Sequence, residues 1–244
     1  LKIMQAARWA QDIHMDHPRA SGEPYLIHPI KVAEILIDLE MDADTTISAL
    51  LHDAIEDSNT TRTDIENQFG TAVADLVEGV TKISIIQAKR KSVQKSETIR
   101  KMLLAMTKDI RVILIKLADK LHNMSTLEHL AVEKQKKTVA ECLDIYAPLA
   151  DRLGIFWLKA ELEDLSLKFL NPPVYEQIRQ YLTRKKTERA EYLVDIQSAV
   201  RTAADEEQVD VEVTARAKHF YSIYRKMKYR DKNLAEIYDL LGIR

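Results

Sequence analysis

The chain has 244 residues, of which 46% are hydrophobic and 30% charged, and its formal net charge is −2. That length can bury a sizeable core and holds one large domain, or one domain and part of a second. The balanced charge excludes a global basic field of the kind that draws in nucleic acid or an acidic membrane surface.

The opening stretch, LKIMQAARWAQDIH, carries both charge signs and no long apolar core, which argues against a signal peptide. No window approaches roughly 18 uninterrupted apolar residues, so no membrane span is expected. The single cysteine, Cys142, can form no internal disulfide and suits a reducing compartment. Together these features predict a cytoplasmic chain. Apolar residues recur at helical rather than alternating spacing, which predicts helices over 29–40, 44–57, 71–82, 97–107, 109–130, 133–152 and 157–170. Phe69-Gly70 reads as a C-cap and Asp109 as an N-cap. The cation-rich stretch ISIIQAKRKSVQKS (83–96) reads as a solvated loop, with a lid over an anionic substrate as the alternative. Pro172 and Pro173 punctuate the chain before a polar amphipathic helix from Val174 to Ala204. In VDVEVTARA (209–217), Val209, Val211 and Val213 alternate with polar residues, the best strand signal present. The expected fold is therefore mainly α, a helical body followed by a helical linker and the opening of an α/β unit.

Chemistry concentrates in LLHDAIEDS (50–58). On a helix, His52, Glu56, Asp53 and Asp57 fall at roughly 0°, 40°, 100° and 140°, so three carboxyl groups and an imidazole crowd one side. Like charges four residues apart, here Asp53 and Asp57, repel unless a cation sits beside them. An HD pair by itself is equally an acidic solvated face with an incidental histidine. Two further elements weigh against that. His28 stands just ahead of Pro29, which suits a first helical turn and projects the imidazole from a helix N-terminus. In IKLADKLHNMSTL (115–127), Asp119, Asn123 and Thr126 lie within about 60° of one another on an otherwise apolar helix, where unpaired polar groups are costly. His28, His52, Asp53 and Asp119 make a two-imidazole, two-carboxylate set that suits a borderline or hard divalent ion. Mn²⁺ is favoured, with Zn²⁺ and Fe²⁺ as alternatives. Such a set leaves positions open for water and substrate. Glu56 and Asp57 are free to orient an attacking water and shuttle its proton.

RASGEPYLIHP (19–29), ALLHDAIEDS, IKLADKLHNMSTL, the segment 145–178 and KHFYSIYRKMK (218–228) together resemble the RelA/SpoT homologue family, in family order and across the whole chain. The resemblance implies an HD hydrolase domain over 1–153, a helical linker over 154–204 and the truncated start of a nucleotidyltransferase-like synthetase domain over 205–244. It implies Mn²⁺-dependent hydrolysis of the 3′-pyrophosphate of the small-molecule substrate (p)ppGpp, with His28, His52, Asp53 and Asp119 on the metal. Glu56 and Asp57 remain the catalytic pair. It places Arg19 on the guanine face, with Ser21, Asn123 and Thr126 in the same pocket. In the synthetase segment it places Arg216, Lys218, Ser222 and Lys226 at ATP-phosphate positions and Asp239 at a Mg²⁺ ligand; Ala215 stands where the family usually has glycine. The sequence stops at Arg244, before the family's acceptor segment and catalytic glutamate, so no synthesis is expected of these residues. Contact with the ribosome would belong to regions further along a longer chain. Two other readings are another HD-type phosphohydrolase, acting on deoxynucleotides or cyclic nucleotides, and a non-catalytic nucleotide-sensing module. The intact Glu56-Asp57 pair counts against the second of these, because a pure binder activates no water.

Overall fold

The computed structural model describes residues 1–15, 19–88, 109–184, 186–213, 215–237 and 240–243. These form two compact units, Leu1–Lys159 and Ala160–Arg244. The expected helix over 97–107, most of the 83–96 stretch, and Asp239 lie outside the described residues. No described helix is long and apolar enough to cross a membrane.

The described residues of the first unit form helices joined by turns and short loops. Its elements are α1 (Lys2–Ile13), α2 (Ile27–Asp38), α3 (Ala43–Leu50), α4 (Ala54–Asp57), α5 (Arg62–Phe69), α6 (Thr71–Ala88) and α7 (Arg111–Ser125). A short 3₁₀ turn (Leu127–His129), α8 (Val132–Glu141), a π turn (Cys142–Tyr146) and α9 (Ala147–Arg152) follow. Local chemistry sets the ends. The Asp42 carboxylate accepts the Thr45 N–H at 2.8 Å and starts α3. Thr61 and Asp64 close a capping box at α5, and Gly70, at φ 100°, ends that helix where an L-residue would strain. Ile110, not the expected Asp109, is the N-cap of α7; Asp109, one residue earlier, accepts the Arg111 N–H at 2.9 Å, while the Arg111 guanidinium reaches Asp42 at 2.8 Å. That arginine ties the start of α7 to the start of α3. Helix α7 packs on α2, α3 and α6, and a Cβ at Gly79 of α6 would meet Val112 of α7 at 2.8 Å, so this close approach needs glycine. Ile47, Leu51, Ile65, Leu76, Ile113, Leu117 and Met124 fill the core between them.

The second unit contains the end of α10 (Phe156–Leu170), then α11 (Pro172–Arg184), α12 (Lys186–Glu206) and α13 (Phe220–Arg230). Leu167, Ile178, Leu182, Ile223, Leu234, Ile237 and Leu240 form its core. Strand β1 (Ala215–Ala217) pairs antiparallel with β2 (Leu241–Ile243), placing Arg216 opposite Gly242.

Three further expectations are corrected. Residues 44–57 are not one helix, because the chain tightens at 51–53, where the Ala54 N–H bonds Leu51 O rather than the carbonyl four residues back. Helix α6 runs on to Ala88, so the start of the 83–96 stretch is helical. Among the described residues the strand covers 215–217; Val209 and Val211 are exposed and outside it, and alternation makes no ladder without a partner strand.

Candidate metal centre

Three elements deliver the expected ligand set. His28 is the second residue of α2 and buried, with Pro29 in that helix's first turn. The turn at 51–53 carries His52 and Asp53, and Asp119 lies in the buried interior of α7. His28 Nε2 is 3.3 Å from Asp119 Oδ1 and 3.7 Å from Asp53 Oδ2. His52 Nε2 is 3.1 Å from Asp53 Oδ2 and 4.0 Å from Asp119 Oδ1. Among the described residues, His28, His52 and Asp119 bring one candidate ligand atom each within 4.8 Å of the others. Asp53 is anchored beside them by the Tyr25 hydroxyl, which donates to Oδ2 at 2.7 Å.

His52 carries the test of fit. It is 0% exposed, and its Nδ1 lies 2.8 Å from Ala49 O. A carbonyl only accepts, so Nδ1 holds the ring hydrogen and the lone pair sits on Nε2. That Nε2 is buried, has no hydrogen-bond partner, and faces two carboxylates. A bare imidazole nitrogen beside Asp53 and Asp119 fits a divalent cation, and the backbone carbonyl fixes the required tautomer. Without a cation, a proton takes the same place. Burial lowers the His52 pKa, but Asp53 and Asp119 outweigh it and push the value up to about 9. Burial alone would raise Asp53 and Asp119; His52 holds Asp53 ionised, and Lys116 with His28 and His52 holds Asp119 ionised. Burial lowers the pKa of His28.

Glu56 and Asp57 sit on α4, exposed at the edge of the centre rather than inside the ligand group. Partial burial of its carboxyl group raises the Glu56 pKa, and Asp57 Oδ2 is 4.0 Å from His14 Nδ1. His14 stacks on Tyr25 with ring centroids 4.3 Å apart.

Arg19 opens the loop ahead of α2, whose turn is closed by Gly22 N–H donating to Arg19 O at 2.9 Å with Gly22 at φ 83°. Its Nη1 lies 3.0 Å from His122 Nδ1, and its Nη2 donates to Asn123 Oδ1 at 3.1 Å and Thr126 Oγ1 at 3.4 Å. Asn123 Nδ2 in turn donates to Asp119 Oδ1 at 2.5 Å. Arg19, Ser21, Tyr25, Asn123 and Thr126 share a cavity of about 400 Å³ with Lys120 and His129, a volume suited to a small ligand.

Besides Tyr25 and Lys120, the sequence pattern left His122 and Lys116 of this site unassigned. His122, one turn beyond Asp119, lies 2.8 Å from His28 through the two Nδ1 atoms. Burial, then His28 and Arg19, push its pKa down to about 4. Lys116, one turn before Asp119, is a buried cation 2.8 Å from Asp119 Oδ2 that also donates to Ser84 Oγ at 3.0 Å. Their spacing of three residues on either side of Asp119 was the available signal.

In the second unit, Lys218 N–H donates to Leu240 O at 2.9 Å. Ser222 Oγ is 2.8 Å from His219 Nε2, itself 2.8 Å from Glu163 Oε2, and Lys226 follows one turn later on α13. Arg216 lies in β1.

Two imidazoles and two carboxylates gathered by an all-helical body define an HD-type centre. The profile of the HD domain family matches residues 6–156, and the chain belongs to that family. Similarity extends further. The chain is 44% identical over 242 residues to guanosine-3′,5′-bis(diphosphate) 3′-pyrophosphohydrolase of Borreliella burgdorferi, covering 99% of this chain and 36% of that protein. It is 44% identical over 245 residues to GTP pyrophosphokinase of Myxococcus xanthus, covering 99% of this chain and 32% of that protein. It is 42% identical over 243 residues to bifunctional (p)ppGpp synthase/hydrolase SpoT of Escherichia coli, covering 100% of this chain and 35% of that protein. The expected resemblance to RelA/SpoT homologues therefore holds over nearly the whole chain, which spans about a third of the length of these relatives.

Proposed function

We propose that this chain hydrolyses the 3′-pyrophosphate of (p)ppGpp, releasing GDP or GTP and pyrophosphate, with Mn²⁺ as its ion. The observation that carries the reading is the buried Nε2 of His52, which makes no well-aligned hydrogen bond and faces Asp53 and Asp119 at 3.1 and 4.0 Å. His28, His52, Asp53 and Asp119 would hold the ion, and a bound divalent ion supplies Lewis acidity that lowers the pKa of water from 15.7 to about 7. Glu56 and Asp57 orient the attacking water and move its proton, and the raised pKa of Glu56 suits a group that both takes and returns one. Arg19 has guanidinium edges tied to α7, which fits a flat face offered to guanine. Ser21, Asn123 and Thr126 line the same cavity, and Lys120 adds a cation suited to phosphate.

Under this reading the hydrolase occupies 1–153, 154–204 is a linker, and 205–244 begins a synthetase domain. There Arg216, Lys218, Ser222, Lys226 and Asp239 would serve ATP and Mg²⁺. Ribosome contact would belong to a longer chain.

The test is product identification. Incubated with ppGpp and Mn²⁺, the chain should release GDP and intact pyrophosphate, and chelation should stop it. Turnover of deoxynucleoside triphosphates or cyclic nucleotides with ppGpp left intact would replace this substrate with another of the HD class. Binding of ppGpp without turnover would make the chain a sensing module.

A further inference from the structure

We infer that Arg19 and His122 form a relay that sets the tautomer of His28, which makes His122 a positioning residue of the metal centre. The inference rests on the metal-site reading above. A guanidinium has five N–H donors and no acceptor, so at 3.0 Å Arg19 Nη1 donates to His122 Nδ1. That atom therefore presents a lone pair. It also lies 2.8 Å from His28 Nδ1, a separation two lone pairs do not share, so His28 Nδ1 donates and shares the single lone pair of His122 Nδ1 with Arg19. With Nδ1 committed as a donor, Nε2 is the nitrogen of His28 left to a cation held between it and the Asp119 and Asp53 carboxylates. An imidazole binds a metal through its bare nitrogen, and the partner of the other nitrogen decides which one is bare.

His52 reaches the same state by a simpler route, because a backbone carbonyl can only accept. A histidine as partner can point either way, and the arginine removes that freedom. The second arm of Arg19 acts alike on an oxygen ligand. Its Nη2 donates to Asn123 Oδ1, which turns the Asn123 amide N–H toward Asp119 Oδ1. One guanidinium thus orders one nitrogen ligand and one oxygen ligand, each through a single intermediary. Arg19 also lines the ligand cavity, so occupancy of the cavity and of the metal centre are coupled through it.

The experiment titrates Mn²⁺ into the metal-free full chain by calorimetry, for wild type, His122→Phe, His122→Asn and Arg19→Ala. Phenylalanine keeps a flat ring but accepts no hydrogen bond, so Kd for Mn²⁺ should rise about 10- to 100-fold, the usual effect of losing an outer hydrogen-bond partner. Asparagine places an acceptor oxygen near the lost Nδ1 and should return Kd to the wild-type value. Arg19→Ala should weaken Mn²⁺ less than His122→Phe, and the double variant should lose less than the product of the two single effects, because both variants break the His28 arm and only the Asn123 arm is lost in addition. Nitrogen-15 NMR of the metal-free proteins reads the tautomer directly. His28 should carry its hydrogen on Nδ1 in wild type and His122→Asn and lose that preference in His122→Phe, with His52 unchanged in all three. A His122→Phe protein with wild-type Kd and an unchanged His28 tautomer overturns the relay, as does a His122→Asn protein as weak as His122→Phe. A wild type that binds no Mn²⁺ removes the metal reading itself and the relay with it, so the two failures are told apart.

Discussion

Both units bury charged side chains, and they satisfy them differently. In the second unit, Asp164 accepts the N–H groups of Phe220 and Tyr221 at 3.0 and 2.8 Å and caps α13, while Glu163 pairs with His219 at 2.8 Å. Those groups have partners supplied by the chain and secure a helix start over an aliphatic core. In the first unit, His28, Asp53 and Asp119 also have partners, yet the network closes around a buried His52 nitrogen that makes no well-aligned hydrogen bond and meets only the charges of Asp53 and Asp119. The network orients its members toward a shared point instead of cancelling them pairwise. Density of buried charge does not separate a site from a brace; an unsatisfied atom aimed at carboxylates does.

The strongest way to break this contrast is Asp119→Ala. It should abolish Mn²⁺ binding and turnover, and it also strands the buried Lys116 ammonium, costing about 3–5 kcal/mol of stability. Adding Lys116→Met should recover much of the stability without restoring the metal. Recovery of both by the double variant would make Asp119 a structural residue.

Glu56→Gln and Asp57→Asn should lower turnover about 10²- to 10⁴-fold while Mn²⁺ affinity stays at the wild-type value. Parallel loss of Mn²⁺ would move either carboxylate into the ligand set.

In the second unit, Ile223→Ala removes a fully buried side chain and should cost about 2–5 kcal/mol, measured by chemical denaturation. Asp164→Ala should cost about 1 kcal/mol through the lost cap. Mn²⁺ affinity should be unchanged in both, and a fall in affinity would show that the two units do not act separately.

The smallest effect is on pH dependence. In the metal-free fold His52 titrates at about 9, against about 6.5 when unfolded. A raised pKa adds stability that is complete below pH 6.5 and lost as the pH rises through 9. The Tm of metal-free wild type should therefore fall across that window more than the Tm of His52→Gln. Identical profiles would remove the imidazolium–carboxylate interaction from the account.

Where sequence and structure agree, one local rule governs. The apolar stripe of α7 and the polar line of Asp119, Asn123 and Thr126 follow from helical spacing alone, and all three polar residues do meet other elements. The break at 51–53 was hidden because ALLHDAI keeps a helical apolar pattern, while the tightening depends on backbone bonds and a ring contact to Ala49 O. His122 was hidden because its meaning comes from Arg19, 103 residues away, and from His28, 94 away. The valines at 209 and 211 showed the period of a strand, but pairing is decided by β2, which among the described residues meets 215–217.

The central claim is that the buried Nε2 of His52 is a metal ligand, and Mn²⁺ stoichiometry by electron paramagnetic resonance tests it most directly. Wild type should hold one tightly bound Mn²⁺ per chain, and His52→Ala, shown to be folded by circular dichroism, should hold none. A folded His52→Ala protein with full Mn²⁺ occupancy would contradict the account.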